Sequence, residues 1–87
     1  MKVGSVVYSR SGRDVGRVYL VVRFSEEREG YVWVVDGDIR TLDKPKCKNA
    51  KHLRYKGEDL PAIADKLQAA KPVYDSEIKS ALRAYAK

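Results

Sequence analysis

The stretch at residues 9–17, SRSGRDVGR, concentrates the residue types that hold phosphate groups. Gly12 and Gly16 carry no side chain, so their backbone N–H groups can approach a phosphate closely. Arginines surround them, and each guanidinium offers a planar pair of donors that matches two phosphate oxygens. The composition therefore predicts contact with the phosphates of a nucleotide or of a nucleic acid through Arg10, Arg13 and Arg17.

The spacing of these glycines excludes the usual nucleotide-binding loop. A P-loop reads G-x-x-x-x-G-K-[ST], whereas here the glycines lie one residue closer and are followed by Arg17 and Val18. A strand-like run follows, where a phosphate-binding helix would begin. Two interpretations remain, which can hold together: contact with nucleic-acid phosphates, or a tight turn whose glycines only supply positive φ. We expect Asp14 to orient Arg13 or to cap the turn.

The positive charge of the chain points to a polyanionic partner. The net charge is +6 over 87 residues, and residues 1–55 supply most of it, with 12 Lys and Arg against 7 Asp and Glu. Small basic domains commonly bind nucleic acid, although charge also serves solubility. A second basic segment follows the loop, and it contains Arg40, Lys44, Lys46, Lys48, Lys51, Arg54 and Lys56.

Short apolar runs must position the loop. Residues 3–8, 17–24 and 31–35 predict three strands, the second with alternating character. An Asp-Gly turn then predicts a short fourth strand at 39–42, and 51–53 predicts a fifth strand or a helical turn. Five short strands favour a closed barrel, because closure hides the sheet edges.

The pattern changes to helical spacing after Gly57. Pro61 fits the first turn of one helix, and Asp75 or Ser76 can cap a second. We expect both helices to pack on the barrel, since short helices are unstable alone. This division predicts a barrel at 1–55 and a helical appendage at 56–87. The apolar positions are Leu60, Ile63, Ala64 and Leu67 in the first helix, and Ile78, Ala81, Leu82, Tyr85 and Ala86 in the second.

The front of the chain resembles the KOW motif of ribosomal proteins and transcription elongation factors. The match runs from Gly4 to Phe24 and centres on a Gly-Arg-Asp-x-Gly-Arg loop between two strands. The later Val34-Val35-Asp36-Gly37, with Arg40 and Lys44-Pro45-Lys46, is similar to the eukaryote-type large-subunit ribosomal proteins and their small bacterial KOW-domain relatives. Residues 1–55 carry the resemblance, which implies an SH3-like barrel that contacts RNA through loop and strand-edge residues.

Together, the loop and the basic segment predict an RNA-binding surface. Contacts to phosphates would dominate it, with little readout of base sequence. The predicted RNA-binding residues are Arg10, Gly12, Arg13, Gly16, Arg17, Arg40, Lys44, Lys46, Lys48 and Lys51.

Aromatic residues offer a second kind of RNA contact. Arg17, Tyr19 and Arg23 alternate on one strand face and could form a stacking platform. The alternative, which we favour, is that Tyr19 packs under the C-terminal helices. Tyr31 and Trp33 share a strand face, where packing is the more common role of such rings.

No catalytic or metal-binding constellation is evident. Cys47 and His52 are the only cysteine and histidine, so they can form neither a disulfide nor a tetrahedral zinc site. They also lack a third orienting group, and we expect no enzymatic activity and no cofactor. A lone cysteine and the absence of an apolar leader or membrane span lead us to expect a cytoplasmic protein.

Two functions from different classes follow from these features. The first is a monomeric RNA-binding module for structured, ribosomal RNA, associated with the ribosome and its proteins. The second is an adaptor that docks onto a translation or transcription protein through the barrel or through Ile78, Leu82 and Tyr85. The salt dependence of binding distinguishes the two functions, because affinity from phosphate contacts falls steeply with ionic strength and affinity from apolar docking does not.

Overall fold

Five strands followed by two helices make up the fold. The computed structural model describes residues 1–85. The strands are β1 (Ser5–Ser9), β2 (Val18–Phe24), β3 (Tyr31–Val35), β4 (Lys46–Asn49) and β5 (Leu53–Asp59), and the helices are α1 (Pro61–Gln68) and α2 (Asp75–Leu82). A single 3₁₀ turn (Ala50–His52) joins β4 to β5.

The strands form one antiparallel sheet in the order β4-β3-β2-β1-β5. In a flat sheet, four spacings would separate β4 from β5 by about 19 Å. The three-residue 3₁₀ turn can bridge at most about 14 Å. The sheet must therefore curl until its two edges approach each other.

The curled sheet is not closed, since β4 and β5 do not pair with each other within residues 1–85. A mainly β fold with five strands and two following helices is confirmed. The closed barrel expected from the sequence is not confirmed.

The convex face of the sheet is covered by the helices. Val6, Leu20 and Val35 from the three central strands form one buried cluster with residues of both helices. Apolar burial of this kind is what keeps helices of eight residues folded. The predicted packing is confirmed: Ile63, Ile78 and Leu82 are buried in this cluster, and Leu60 and Leu67 pack against it.

A second cluster fills the concave face of the sheet. Because side chains alternate across a strand, Val7 and Val21 point away from the helices, and Tyr19 lies beside them, fully buried. Both interpretations of Tyr19 are therefore wrong: its ring is neither an outer stacking platform nor a support for the helices. The cluster consists of Val7, Tyr19, Val21, Val32, Val34 and Leu53.

The predicted fourth strand at 39–42 is wrong. The Asp36 carboxylate accepts hydrogen bonds from the backbone N–H groups of Asp38 and Arg40, at 2.9 and 2.8 Å, and so holds a local turn. The chain then continues without a strand until β4, which pairs with β3. The last strand extends to Asp59, beyond the predicted barrel boundary at residue 55.

Both helices lie where the apolar spacing predicts them. Pro61 occupies the first turn of α1, as expected. Side-chain capping of α2 by Asp75 or Ser76 is wrong, because its N-cap is Tyr74 and the Asp75 carboxylate instead accepts from the Leu42 backbone N–H at 2.8 Å. Ala86 lies outside the described residues. Neither helix in the described part is long and apolar enough to cross a membrane.

Candidate nucleic-acid interface

The loop between β1 and β2 is a tight, hydrogen-bonded turn. The Gly16 N–H donates to the Ser9 carbonyl at 2.8 Å, and the Arg17 N–H donates to the Asp14 carbonyl at 2.9 Å. Gly12 and Gly16 both have φ of +87°, a conformation that residues with a side chain rarely adopt. The prediction that these glycines supply positive φ to a turn is confirmed. A Cβ at Gly16 would meet no atom within 4 Å, so only backbone strain opposes substitution there.

The carboxylate of Asp14 is the centre of a buried polar cluster. It accepts hydrogen bonds from the hydroxyls of Tyr19 at 2.6 Å and Ser9 at 2.7 Å. It also pairs with the ammonium groups of Lys48 at 2.9 Å and Lys46 at 3.2 Å. Asp14 therefore stabilises the turn through its backbone carbonyl, which accepts from the Arg17 N–H. Its carboxylate contacts these four residues and, contrary to the expectation from the sequence, does not orient Arg13.

The surroundings of Asp14 determine its protonation. Burial alone would raise the pKa of this carboxyl group, but the hydrogen bonds from Tyr19, Lys48, Ser9 and Lys46 together hold the pKa well below its usual range. Burial, and then the hydrogen bond to Asp14, raise the pKa of the Tyr19 phenol. Asp14 is therefore a permanent anion at neutral pH, and Tyr19 remains a hydrogen-bond donor to it.

Strand register explains why two lysines reach this carboxylate. In the β3–β4 ladder, Lys46 lies opposite Val34 and Lys48 lies opposite Val32, and both valines belong to the concave cluster. The lysine stems cover this apolar surface while their ammonium groups reach Asp14. The expectation that Lys48 lies on the surface is wrong: its side chain is 8% exposed, and its ammonium also donates to the Ser9 hydroxyl at 2.9 Å.

Three other predicted cations remain exposed at the loop end of the sheet. Arg10 and Arg13 lie in the loop itself, and Lys51 lies in the 3₁₀ turn. The Arg10 backbone N–H donates to the His52 carbonyl at 2.9 Å, which ties the loop to that turn. Within residues 1–85, none of the three side chains has a carboxylate within ion-pair distance. We call Arg10, Arg13 and Lys51 the basic end.

The remaining predicted cations lie elsewhere. The Arg17 guanidinium is paired with Asp36 at 3.2 Å, which fastens the loop to the turn after β3. Arg40 is half-buried in that turn, and Lys44 is exposed in the connection to β4. This connection is held against the start of α2 by the Leu42–Asp75 hydrogen bond. The predicted cations are therefore divided among the basic end, the Asp14 cluster and the segment that follows β3.

The other aromatic candidates lie beside arginines, and Cys47 lies on a strand. The Arg23 guanidinium lies 5.0 Å from the centre of the Trp33 ring, and the Arg28 guanidinium lies 3.8 Å from that of Tyr31. Cys47 is half-buried on β4, opposite Trp33. Among residues 1–85, no three His, Cys, Asp or Glu side chains come together as metal ligands would.

Sequence reasoning missed the polar cluster and, with it, the roles of Ser9 and Tyr19. A signal was present in the alternation of the strands. Ser9 lies two residues after Val7, and Lys48 lies two residues after Lys46, so each pair shares one face. The sequence does not show that β4 pairs with β3. This pairing turns the side chains of Lys46 and Lys48 towards the concave cluster.

A comparison of the chain with models of protein families gives no match, and a comparison with curated proteins gives none either.

Proposed function

We propose that the protein is an RNA-binding module of the KOW type, with an SH3-like barrel as its fold. The observation that carries the proposal is the basic end, where Arg10, Arg13 and Lys51 are exposed and have no carboxylate partner within the described residues. The carboxylate of the loop, Asp14, is paired with Lys46 and the buried Lys48, and it forms no ion pair with these cations.

Electrostatics favours a nucleic-acid backbone as the ligand of the basic end. Two loop arginines offer bidentate donors to phosphate oxygens, and the lysine adds a point charge. Each phosphate that is neutralised releases counterions, which supplies affinity without reading sequence. Binding through the basic end is therefore expected to depend steeply on salt and weakly on base sequence.

The resemblance to KOW proteins specifies the class of RNA. The matching loop, the Val-Asp-Gly stretch and the Lys-Pro-Lys segment support structured ribosomal RNA as the ligand, with ribosomal proteins as neighbours. The curl of the sheet and the short link between β4 and β5 support the SH3-like interpretation of the fold. The proposed role is that of a monomeric, cytoplasmic, ribosome-associated protein without enzymatic activity.

The adaptor function has less support. Its docking surface would contain Ile78 and Leu82, but both side chains are buried between α2 and the sheet. Only Tyr85 of that predicted surface is partly exposed. A partner could reach Ile78 and Leu82 only by displacing the helix.

A salt titration of RNA binding tests the proposal. Affinity for a folded fragment of ribosomal RNA is measured over a range of salt concentrations for wild type, Arg13→Ala and Lys51→Ala. Lys71→Ala is the matched control, since Lys71 is exposed in the connection between the helices. Each variant at the basic end should make the plot of log affinity against log salt shallower by somewhat under one unit. Wild-type slopes for both variants would contradict the proposal.

A further inference from the structure

A groove with aromatic and basic walls lies on the helix side of the sheet, beside the C-terminal end of α2. Its volume is about 470 Å³, within the range of small-molecule sites. None of its tyrosines was predicted to bind RNA, and the basic end does not include its cations. The lining consists of Tyr8, Gly16, Val18, Arg54, Tyr55, Lys56 and Tyr85.

Strand pairing places aromatic and basic residues side by side in the groove. Tyr8 of β1 lies opposite Arg54 of β5, and Lys56 follows two residues later on the same face. The Lys56 ammonium lies 5.2 Å from the centre of the Tyr8 ring. Tyr85 follows α2 and is held by a hydrogen bond of 3.4 Å from its hydroxyl to the Glu58 carboxylate.

This combination is unusual for a surface that serves only packing. Tyr8 and Tyr85 are both partly exposed, although Tyr85 packs against the apolar cluster on the helix side of the sheet. Arg54 and Lys56 are exposed, and neither has a carboxylate within ion-pair distance in the described part of the chain. Partly exposed aromatic rings beside cations that have no carboxylate partner in the described chain match a ligand that carries both a flat ring and a negative charge.

We propose that this groove binds an unpaired nucleotide of RNA, with its base stacked on Tyr8 or Tyr85 and its phosphate on Arg54 and Lys56. The inference rests on the proposed RNA-binding function and adds a preference for single-stranded segments. In a duplex, each base is already stacked and paired, so its face is not free for a tyrosine. When a base covers Tyr8, the Lys56 ammonium leaves the ring and becomes available to the phosphate.

The groove adjoins the loop between β1 and β2. Gly16 lines the groove and belongs to the loop that carries Arg10 and Arg13. One RNA strand can therefore place a base in the groove and its neighbouring phosphates along the loop. The combined site would recognise structured RNA at a place where a loop or a bulge exposes an unpaired base.

The test compares an oligouridine of about eight nucleotides, within the usual length of single-strand sites, with a duplex of equal length. Affinities are measured for wild type, Tyr8→Leu and Tyr85→Leu. Tyr74→Leu is the control, because Tyr74 is 66% exposed and lies outside the groove. Each groove variant should bind the single strand about tenfold more weakly, the usual scale for losing one stacked base.

Salt dependence separates stacking from charge in the same experiment. The tyrosine variants should keep the wild-type salt slope, because they lose no cation. Lys56→Met should reduce the slope by somewhat under one unit. The inference is overturned if wild type binds RNA but the three groove variants bind the single strand like wild type. It is equally overturned if the duplex binds as well as the single strand, or if wild type binds the folded ribosomal RNA fragment but neither oligonucleotide. A wild type that binds none of the three RNAs contradicts the proposed function itself.

A second measurement needs no variant and therefore no assumption that a variant folds. An oligonucleotide with 5-bromouridine is irradiated in complex with the wild-type protein, and the crosslinked residue is mapped by mass spectrometry. Crosslinks at Tyr8 or Tyr85 support the inference, because this photochemistry joins the base only to a side chain in direct contact with it. Crosslinks at Tyr31 or Trp33 alone would place the base elsewhere and overturn it.

Discussion

Lysines only a few residues apart in one short segment have opposite environments. Lys46 and Lys48 lie on β4, where strand register turns both side chains towards the concave cluster and Asp14. Lys51 lies in the following 3₁₀ turn and is exposed, with no carboxylate partner in the described chain. The difference is made by backbone pairing alone, since the three residues are chemically identical.

This contrast shows that a count of positive charges does not define an interface. Two of the lysines that contribute to the net charge are held by an internal anion. Such lysines stabilise the curl of the sheet by linking β4 to the β1–β2 loop. Of the three lysines, the one that remains for a ligand is Lys51, which lies on a turn where no strand pairing directs the side chain inward.

Removal of the Asp14 carboxylate should give the largest effect on stability. Asp14→Ala leaves the ammonium of Lys48 buried without its anion, which we expect to lower the free energy of unfolding by about 3 kcal/mol. The control is Asp38→Ala, because Asp38 is 61% exposed and its ion pair with Lys79 is long, at 3.8 Å. That control should change stability by less than about 0.5 kcal/mol. Urea unfolding of both variants measures the difference, and equal losses would contradict the assigned role of Asp14.

Protonation of the same carboxylate should produce a related but gradual loss. The pKa of Asp14 is lowered in the folded protein, so its contribution is fully present above the unfolded pKa of about 3.9. It is lost as the pH falls from that value through the folded pKa. We therefore expect the free energy of unfolding of wild type to fall more steeply below about pH 4 than that of Asp14→Asn. Parallel curves for the two proteins in urea titrations at decreasing pH would contradict this prediction.

Replacement of Lys48 should cost less, because Asp14 keeps three other donors. Lys48→Met retains an apolar stem over Val32 and removes the hydrogen bonds of the ammonium group. We expect a loss of about 2 kcal/mol in the free energy of unfolding, the usual scale for a hydrogen bond to a charged group. Lys46→Met should cost about 0.5 kcal/mol, since Lys46 is 32% exposed. Denaturant midpoints rank the two variants, and the reverse order would show that Lys46 is the principal partner.

The smallest effect on stability is expected at Lys51. Lys51→Met should leave the free energy of unfolding unchanged within about 0.5 kcal/mol, because the side chain is exposed and unpaired in the described chain. The same variant should reduce the salt slope of RNA binding, whereas Lys48→Met should not. Both variants are measured by thermal unfolding and by salt titration. The distinction between the two lysines fails if Lys48→Met alone changes the slope.

Local sequence patterns were sufficient to predict much of the fold. The alternation in residues 17–24 predicted β2, and the spacing of Ile63, Leu67, Ile78 and Leu82 predicted two helices that pack on the sheet. Positive φ at the loop glycines followed from their place between two strands. These features depend on neighbours in sequence, which single-sequence reasoning can use.

Features set by distant contacts could not be predicted in the same way. The Asp-Gly pair at 36–37 is typical of a tight hairpin, but Asp36 holds a local turn and Asp75 fixes the following segment from the start of α2. Residues 46–49, KCKN, have no apolar alternation, so only pairing with β3 identifies them as a strand. The burial of Lys48 follows from that pairing, so it could not be predicted from the sequence either.

The order of strands in the sheet also has a consequence for how the chain acquires its fold. The β1–β5 ladder joins the first and the last strand of the chain, and the hydrogen bond from the Ser5 hydroxyl to the Asp59 carboxylate spans a separation of 54 positions. Contacts so distant in sequence slow folding, because a long loop must lose its freedom before they form. During synthesis, β1 therefore keeps one edge unpaired until residue 59 has left the ribosome. The helices that bury its convex face are made later still.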